Sequence, residues 1–328
     1  MPEPSEYLAR ATRDTLRGDF PAVVTLLNEG LPAAMRIQAP ELSRMYSMLG
    51  SAERMIGTHL DSAVTHHYAA IGAAKNPLDQ AHAHTNLADS FRKLGMNDAA
   101  HRELDIAMTL PHLLSTGPLE LAAATDQRGL LRFVEKNHAL ALGHYDDARR
   151  HCEAALAVGD TAVARDRLAQ ILQHTAVVYV FREPAVPEEH ARARELLSDA
   201  ISILTPIGDE VNLSNAHATL GKVELLQGNP AESVAHYEQA LRHAQVVSYN
   251  ANVNGIGIYL VETSLATGSI EDAQRHADTF VDGVTQGFIT GHDITIYEKQ
   301  IRDTVAAFEQ KGLRTNGLKD ILVLVEKK

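Results

Sequence analysis

Residues 214–247 read SNAHATLGKVELLQGNPAESVAHYEQALRHAQVV. Two runs with helical spacing flank Gly228-Asn229-Pro230, a sequence that ends one helix and starts another. Leu220-Gly221 on the first run and Tyr237 with Ala240-Leu241 on the second alternate small and large residues. The small ones stand where two helices must cross closely, and the large ones fill the space between them. The stretch therefore predicts a helical hairpin.

The same punctuation recurs along the chain. Gly18, Gly57, Gly95, Gly143, Gly228 and Gly268 are spaced near forty residues apart, except for one 85-residue gap that predicts a further unit. Each glycine is expected to end a first helix in the left-handed conformation. Asn97, Asn229 and Ser269, the last followed by Asp272, are expected to cap the second helices. Ala100, Leu104 and Ala107 in the third repeat, and Ala273, Ala277 and Phe280 in the last, supply the second helix's apolar stripe.

The predicted units run over about 4–37, 43–77, 81–114, 129–162, 165–207, 214–247 and 254–287, with residues 288–328 as a C-terminal cap. A connector from Pro111 to Pro118 precedes the fourth unit. The stiff loop Arg182 to Pro187 replaces the glycine turn in the fifth and is a candidate hinge. After a loop at Gly287 to His292, a helix through Ile296, Ile301, Val305 and Phe308 closes the stack, as repeat ends require. The tail from Leu318 to Val325 reads as a short helix or a strand.

Composition narrows the functional classes. Thirty basic against 42 acidic side chains give a formal net charge of -12, which disfavours direct nucleic-acid binding. Aromatic residues are only 5% of the 328 residues and Trp is absent, so Ala and Leu must carry the packing. A single cysteine, Cys152, excludes an internal disulfide framework and fits a reducing, cytoplasmic setting. The sequence contains no secretory signal and no apolar run long enough to span a membrane.

These units resemble the tetratricopeptide repeat superfamily across about residues 4–287. Repeats near forty residues are similar to the repeat domains of bacterial peptide-sensing and signal-responsive regulators. The resemblance implies an all-α, right-handed superhelical solenoid of about seven hairpins with a C-terminal capping helix. It also implies a short peptide or protein segment held on the concave face. Those regulators usually carry a helix-turn-helix before the repeats; the pattern here starts at Tyr7 and Leu8, so the expectation is a regulator that works through a partner.

When the family's groove positions are carried over, the first helices offer Arg44, Ser47, Ser51 and Arg54, then Thr85, Asn86, Asp89, Arg92 and Lys93, then Asn137, Asn215 and Lys222. Asn matches a peptide backbone with one donor and one acceptor, and Arg can grip a carboxylate with two parallel bonds. Asn86 and Arg92 lead this set. The competing reading makes all of them solvated polar positions on exposed helix faces. The carboxylate grip of chaperone-binding relatives finds only Asn86 in place, since Ser47, Ser51, Leu130 and Val134 stand at its other positions.

Enzymatic chemistry finds no positive support. The 17 histidines include no pair three or four residues apart, the spacing that puts two ligands on one helix face. Asp147 and His151 read as a surface pair, and Cys152 as a small core residue between the helices of its unit. Gly255-Ile256-Gly257 lacks the strand and third glycine of a dinucleotide loop. The sequence thus predicts a non-enzymatic scaffold or sensor without cofactor or metal. The alternatives are an assembly protein that forms a homodimer through its C-terminal cap, or an enzyme using the groove as a pocket.

Overall fold

The computed structural model describes all residues except 1, 58, 111–116, 160, 183–185, 247–249, 287–296 and 327–328. Among the described residues every regular element is an α-helix. In order these are α1 (Pro4–Leu16), α2 (Phe20–Arg36), α3 (Leu42–Ile56), α4 (Leu60–Ala73), α5 (Pro77–Lys93) and α6 (Asn97–Thr109). Then come α7 (Pro118–Val134), α8 (His138–Val158), α9 (Ala162–Phe181), α10 (Pro187–Ile207) and α11 (Glu210–Leu226). The chain ends with α12 (Pro230–Val246), α13 (Asn250–Thr267), α14 (Ile270–Thr285), α15 (Glu298–Gln310) and α16 (Asn316–Glu326). The Pro111–Pro118 connector, the core of the Arg182–Pro187 hinge, the Gly287–His292 loop and Ile296 fall largely or wholly outside the described residues.

The chain divides into two compact units, residues 1–185 with 198–209, and residues 186–197 with 210–328. In the first, α1 packs on α2, α3 on α4, α5 on α6 and α7 on α8, and α9 follows on α8. First helices touch one another in sequence, α1 to α3, α3 to α5, α5 to α7 and α7 to α9, whereas second helices make no more than marginal contact with each other. The stack is therefore tighter on the side of the first helices, which form its inner face. In the second unit α11 packs on α12, α13 on α14 and α15 on α16, with α11 touching α13 and α13 touching α15.

Apolar stripes explain this stacking. Leu87, Ala88, Phe91, Ala100, Leu104 and Ala107 share one core with Ala124 and Leu131 of the next hairpin. In the second unit Ile258, Ala273, Ala277 and Phe280 share another with Ile301, Phe308, Leu318 and Ile321. Each hairpin thus buries on its neighbour what it cannot bury alone, at about 2 kcal/mol for each large side chain. The tail is a helix: Leu318 and Ile321 stand one turn apart on the face that enters this core, which overrides the strand preference of its β-branched residues.

Five of the six turn glycines have positive φ, Gly18, Gly57, Gly95, Gly228 and Gly268. Gly143 does not, because it lies inside α8 with no heavy atom within 4 Å of an added Cβ. The fourth hairpin turns instead at Lys136, a non-glycine residue at φ 60°. It accordingly spans 118–158 rather than 129–162. Its closely packed glycine is Gly129, where an added Cβ would stand 2.5 Å from the Tyr145 ring, as Gly221 would stand 2.9 Å from Tyr237.

Candidate functional site

The inner face of the first unit carries charged side chains that bond between hairpins, with amide side chains that bond locally beside them. Asp89 on α5 is buried and receives Arg54 Nη1 from α3 at 2.5 Å and Arg92 Nη2 from its own helix at 2.5 Å. Burial alone would raise its pKa, but Arg54, Arg92 and Lys93 outweigh it and hold the carboxyl well below the usual carboxylate range. Arg44 Nε donates to Asp79 Oδ1 at 2.8 Å, and Asn86 Nδ2 approaches His82 Nε2 at 3.0 Å. Asp79 gives its second oxygen to Asn76 Nδ2 at 2.7 Å.

A second node lies between α7 and α9. Asp126, fully buried, accepts from His174 Nδ1 at 2.8 Å, and its other oxygen is 3.6 Å from Arg167 Nη1. Arg167 also donates to Gln170 Oε1, whose amide donates to Asp166. Burial, followed by the adjacent Asp209, pushes Asp166 up to about 7. Tyr145 reaches this node from α8, with its ring 5.8 Å from that of His174 and no hydrogen-bond partner for its hydroxyl.

His67 enters the band from behind. It lies on Gly50, fully buried, and neither ring nitrogen has a hydrogen-bond partner. Burial and then Arg54 push its pKa down to about 3, so the ring is neutral. His67 and Tyr145 both cross the inner helix of their hairpin at a glycine, and thereby bring polar ring atoms close to its charged side.

The structure places Arg44, Arg54, Asn86, Asp89 and Arg92 on α3 and α5 in three separate groups, Arg44 with Asp79, Arg54 and Arg92 with Asp89, and Asn86 with His82, with Lys93 beside the second. The guanidiniums of Arg54 and Arg92 grip a carboxylate of the chain itself. Asn137 does not join them: it caps α8 by accepting from the Leu140 amide at 3.3 Å. Lys222 belongs to the second unit, where it holds Glu262 at 2.5 Å, and Asn215 is half-buried on the same helix. Asn97 is the first residue of α6 rather than its cap, and the Ser269 hydroxyl donates to Asp272 Oδ2 at 2.5 Å instead of capping the backbone.

Asp79, His82, Asp126, Arg167 and His174 complete the band, and sequence reasoning had not selected them. A weak signal existed: Asp126 stands three residues before the crossing glycine Gly129, as Thr85 stands three before Ala88. The histidines also meet in ways their spacing did not show. His217 Nδ1 on α11 is 3.3 Å from His236 Nδ1 on α12, and His243 Nδ1 bonds Glu210 at 2.6 Å. Among the described residues no group of three His, Cys, Asp or Glu side chains is arranged to hold a metal.

Cys152 is buried and donates its thiol to the Ala164 carbonyl of the next hairpin at 3.2 Å. Burial pushes its pKa up to about 11, the opposite of what a nucleophile needs. Asp147 pairs with Arg150 rather than with His151. No described helix is long and apolar enough to cross a membrane.

No protein-family profile matches the chain, and no curated protein matches it in sequence. Solved structures do match in shape. A Rap protein complexed with Competence and Sporulation Factor aligns with a TM-score of 0.71 at 14% identity, over 99% of this chain and 85% of that one. Aspartyl phosphate phosphatase F from Bacillus subtilis aligns at 0.61 and 12% identity, over 92% of this chain and 74% of that one. A signal-transduction ATPase with a tetratricopeptide repeat sensor, from Pyrococcus horikoshii, aligns at 0.55 and 13% identity, over 99% of this chain and 50% of that one. The fold is that of tetratricopeptide repeat proteins.

Proposed function

We propose that the chain is a non-enzymatic regulatory scaffold or sensor that binds a peptide or protein segment on the inner face of its first unit. The observation that carries this reading is the band itself. Charged side chains from α3 and α5, and His174 of α9 with Asp126 of α7, are held in fixed positions by bonds between hairpins, beside polar ring atoms of His67 and Tyr145 that have no partner. A scaffold that only needed solubility would leave such groups to water on the outer helices, since burying them costs free energy. The Rap protein complexed with Competence and Sporulation Factor and the repeat sensor of the ATPase lend support by shape. Work inside a reducing cytoplasm fits the single buried thiol.

Peptides selected from a random library by the purified protein, measured by calorimetry, test the proposal. Asn86→Ala is expected to weaken a selected peptide about tenfold, whereas Tyr68→Ala on the exposed face of α4 leaves it unchanged. Equal affinity of both variants and the wild type would contradict it.

A second reading is self-association through the C-terminal helices, favoured by Val323 and Leu324, which are about half exposed on α16. It expects a dimer in light scattering that Val323→Glu with Leu324→Glu converts to a monomer. A wild-type monomer removes it.

A further inference from the structure

Three histidine rings meet in the second unit, between the two helices of one hairpin. His236 and His243 stand seven residues apart, two turns along one face of α12, and both are half-buried. The half-buried ring of His217, from α11, reaches each of them. Its centre is 5.5 Å from that of His236 and 5.5 Å from that of His243, and it lies within 6° of parallel to the latter.

The contact between His217 and His236 has room for one hydrogen only. Their Nδ1 atoms are 3.3 Å apart, and their ring centres are farther apart than this by about two ring radii, so the nitrogens point at each other along the line joining the rings. A neutral imidazole carries one N–H and one bare nitrogen, so one Nδ1 donates and the other accepts. A first added proton can enter at the far Nε2 of the donating ring. A second must enter the gap, where it sets N–H against N–H. His243 meets no such conflict, because its Nδ1 donates to Glu210 Oε2 at 2.6 Å in the last turn of α12, where a positive charge also suits the helix dipole. That charge then stands beside His217.

We propose that His217, His236 and His243 form a proton-operated latch between α11 and α12, closed while the facing nitrogens share one hydrogen and released when both rings are protonated. The surrounding charges support this. Burial first, then His236, His243 and Arg242, pushes the His217 pKa down to about 4. Burial also lowers that of His236, where Glu224 opposes the shift and Arg194 of α10 adds to it; these two are bonded to each other at 2.7 Å. From α13, which packs on both helices, Glu262 turns to Lys222 and Tyr259 stacks on Tyr237. Once the hairpin opens, the rings meet water and regain the ordinary value of about 6.5. The open form therefore binds protons more tightly than the closed one, so closure is fully favoured above about 6.5 and weakens as pH falls towards 4. For His217 alone the opening constant rises about twentyfold between pH 7 and pH 5.

Hydrogen exchange of the whole protein at pH 7 and pH 5, corrected for the intrinsic exchange rate at each pH, tests the latch. The opening constants of α11 and α12 are expected to rise about tenfold or more beyond those of α15 and α16, which contain no histidine. His217→Gln cannot be charged, and His236→Gln offers a protonated His217 an amide oxygen to donate to, so both variants are expected to lose most of this excess. Either variant suffices if the other does not fold. NMR titration of the rings over the same range shows whether protonation and opening coincide. Equal rises in the two pairs of helices, an excess undiminished in the folded variants, or rings that become charged while α11 and α12 stay protected would overturn the proposal.

Discussion

The two units solve the same packing problem and then spend their polar residues differently. In the first, ion pairs such as Arg54 with Asp89 and Arg44 with Asp79 connect successive inner helices, and Asp126 ties α7 to α9. In the second, Lys222 and Glu262 likewise join α11 to α13, and a series of rings runs between the helices beside them: Tyr237 stacks on Tyr259 at 5.9 Å, Tyr259 meets Tyr297 at 5.7 Å, and Tyr297 meets Phe280 at 5.6 Å. Ring stacks bury area and stabilise, whereas buried ion pairs gain little net stability because of the water they lose. On the proposed reading, recognition belongs to the first unit, with its larger set of ion pairs between inner helices, and the ring series of the second serves its stability.

The largest effect should come from the aromatic side. Phe280→Ala removes a fully buried ring shared by two hairpins, and urea unfolding should show the second unit weakened by about 4 kcal/mol. Asp89→Asn should cost about 3 kcal/mol in the first unit by leaving two guanidiniums without their charge partner. Because the Asp89 pKa is lowered on folding, its contribution is fully present above the unfolded value of about 3.9 and fades as pH falls through the folded one. The acid side of the stability profile should therefore flatten in the variant, and an unchanged profile would show that the pair is merely decorative.

Two glycines permit a direct comparison of the units. Gly129→Ala places a Cβ 2.5 Å from Tyr145, and Gly221→Ala places one 2.9 Å from Tyr237. The first should lose about 2 kcal/mol and the second about 1, since the gain in helix propensity is the same and the overlap differs. Of the same size but opposite sign is Lys136→Gly, which relieves a left-handed non-glycine residue and should raise stability by about 1 kcal/mol in the same denaturation measurement.

That residue also shows where the sequence stops being legible. Hairpins announced by a turn glycine, such as those at Gly95 and Gly228, could be placed because few residues enter that conformation freely. The fourth hid because its turn uses Lys136, while Gly143 imitated the signal from within a helix. At the site, the family's groove positions point to Arg44, Asn86 and Arg92. They do not show that Asp79 meets Arg44 or that Asp126 meets Arg167 and His174, because those contacts depend on how one hairpin seats on the next. Asn137 caps α8, a role that asparagine suits as well as it suits a peptide groove.

We propose that ligand recognition resides on the inner helices of the first unit. Hydrogen exchange with and without a library-selected peptide tests it most directly, resolved to single helices. The account predicts slowed exchange in α3, α5, α7 and α9 and little change in α13 to α16. Protection confined to α13 to α16, or none in α3 to α9 with the peptide bound, would contradict it.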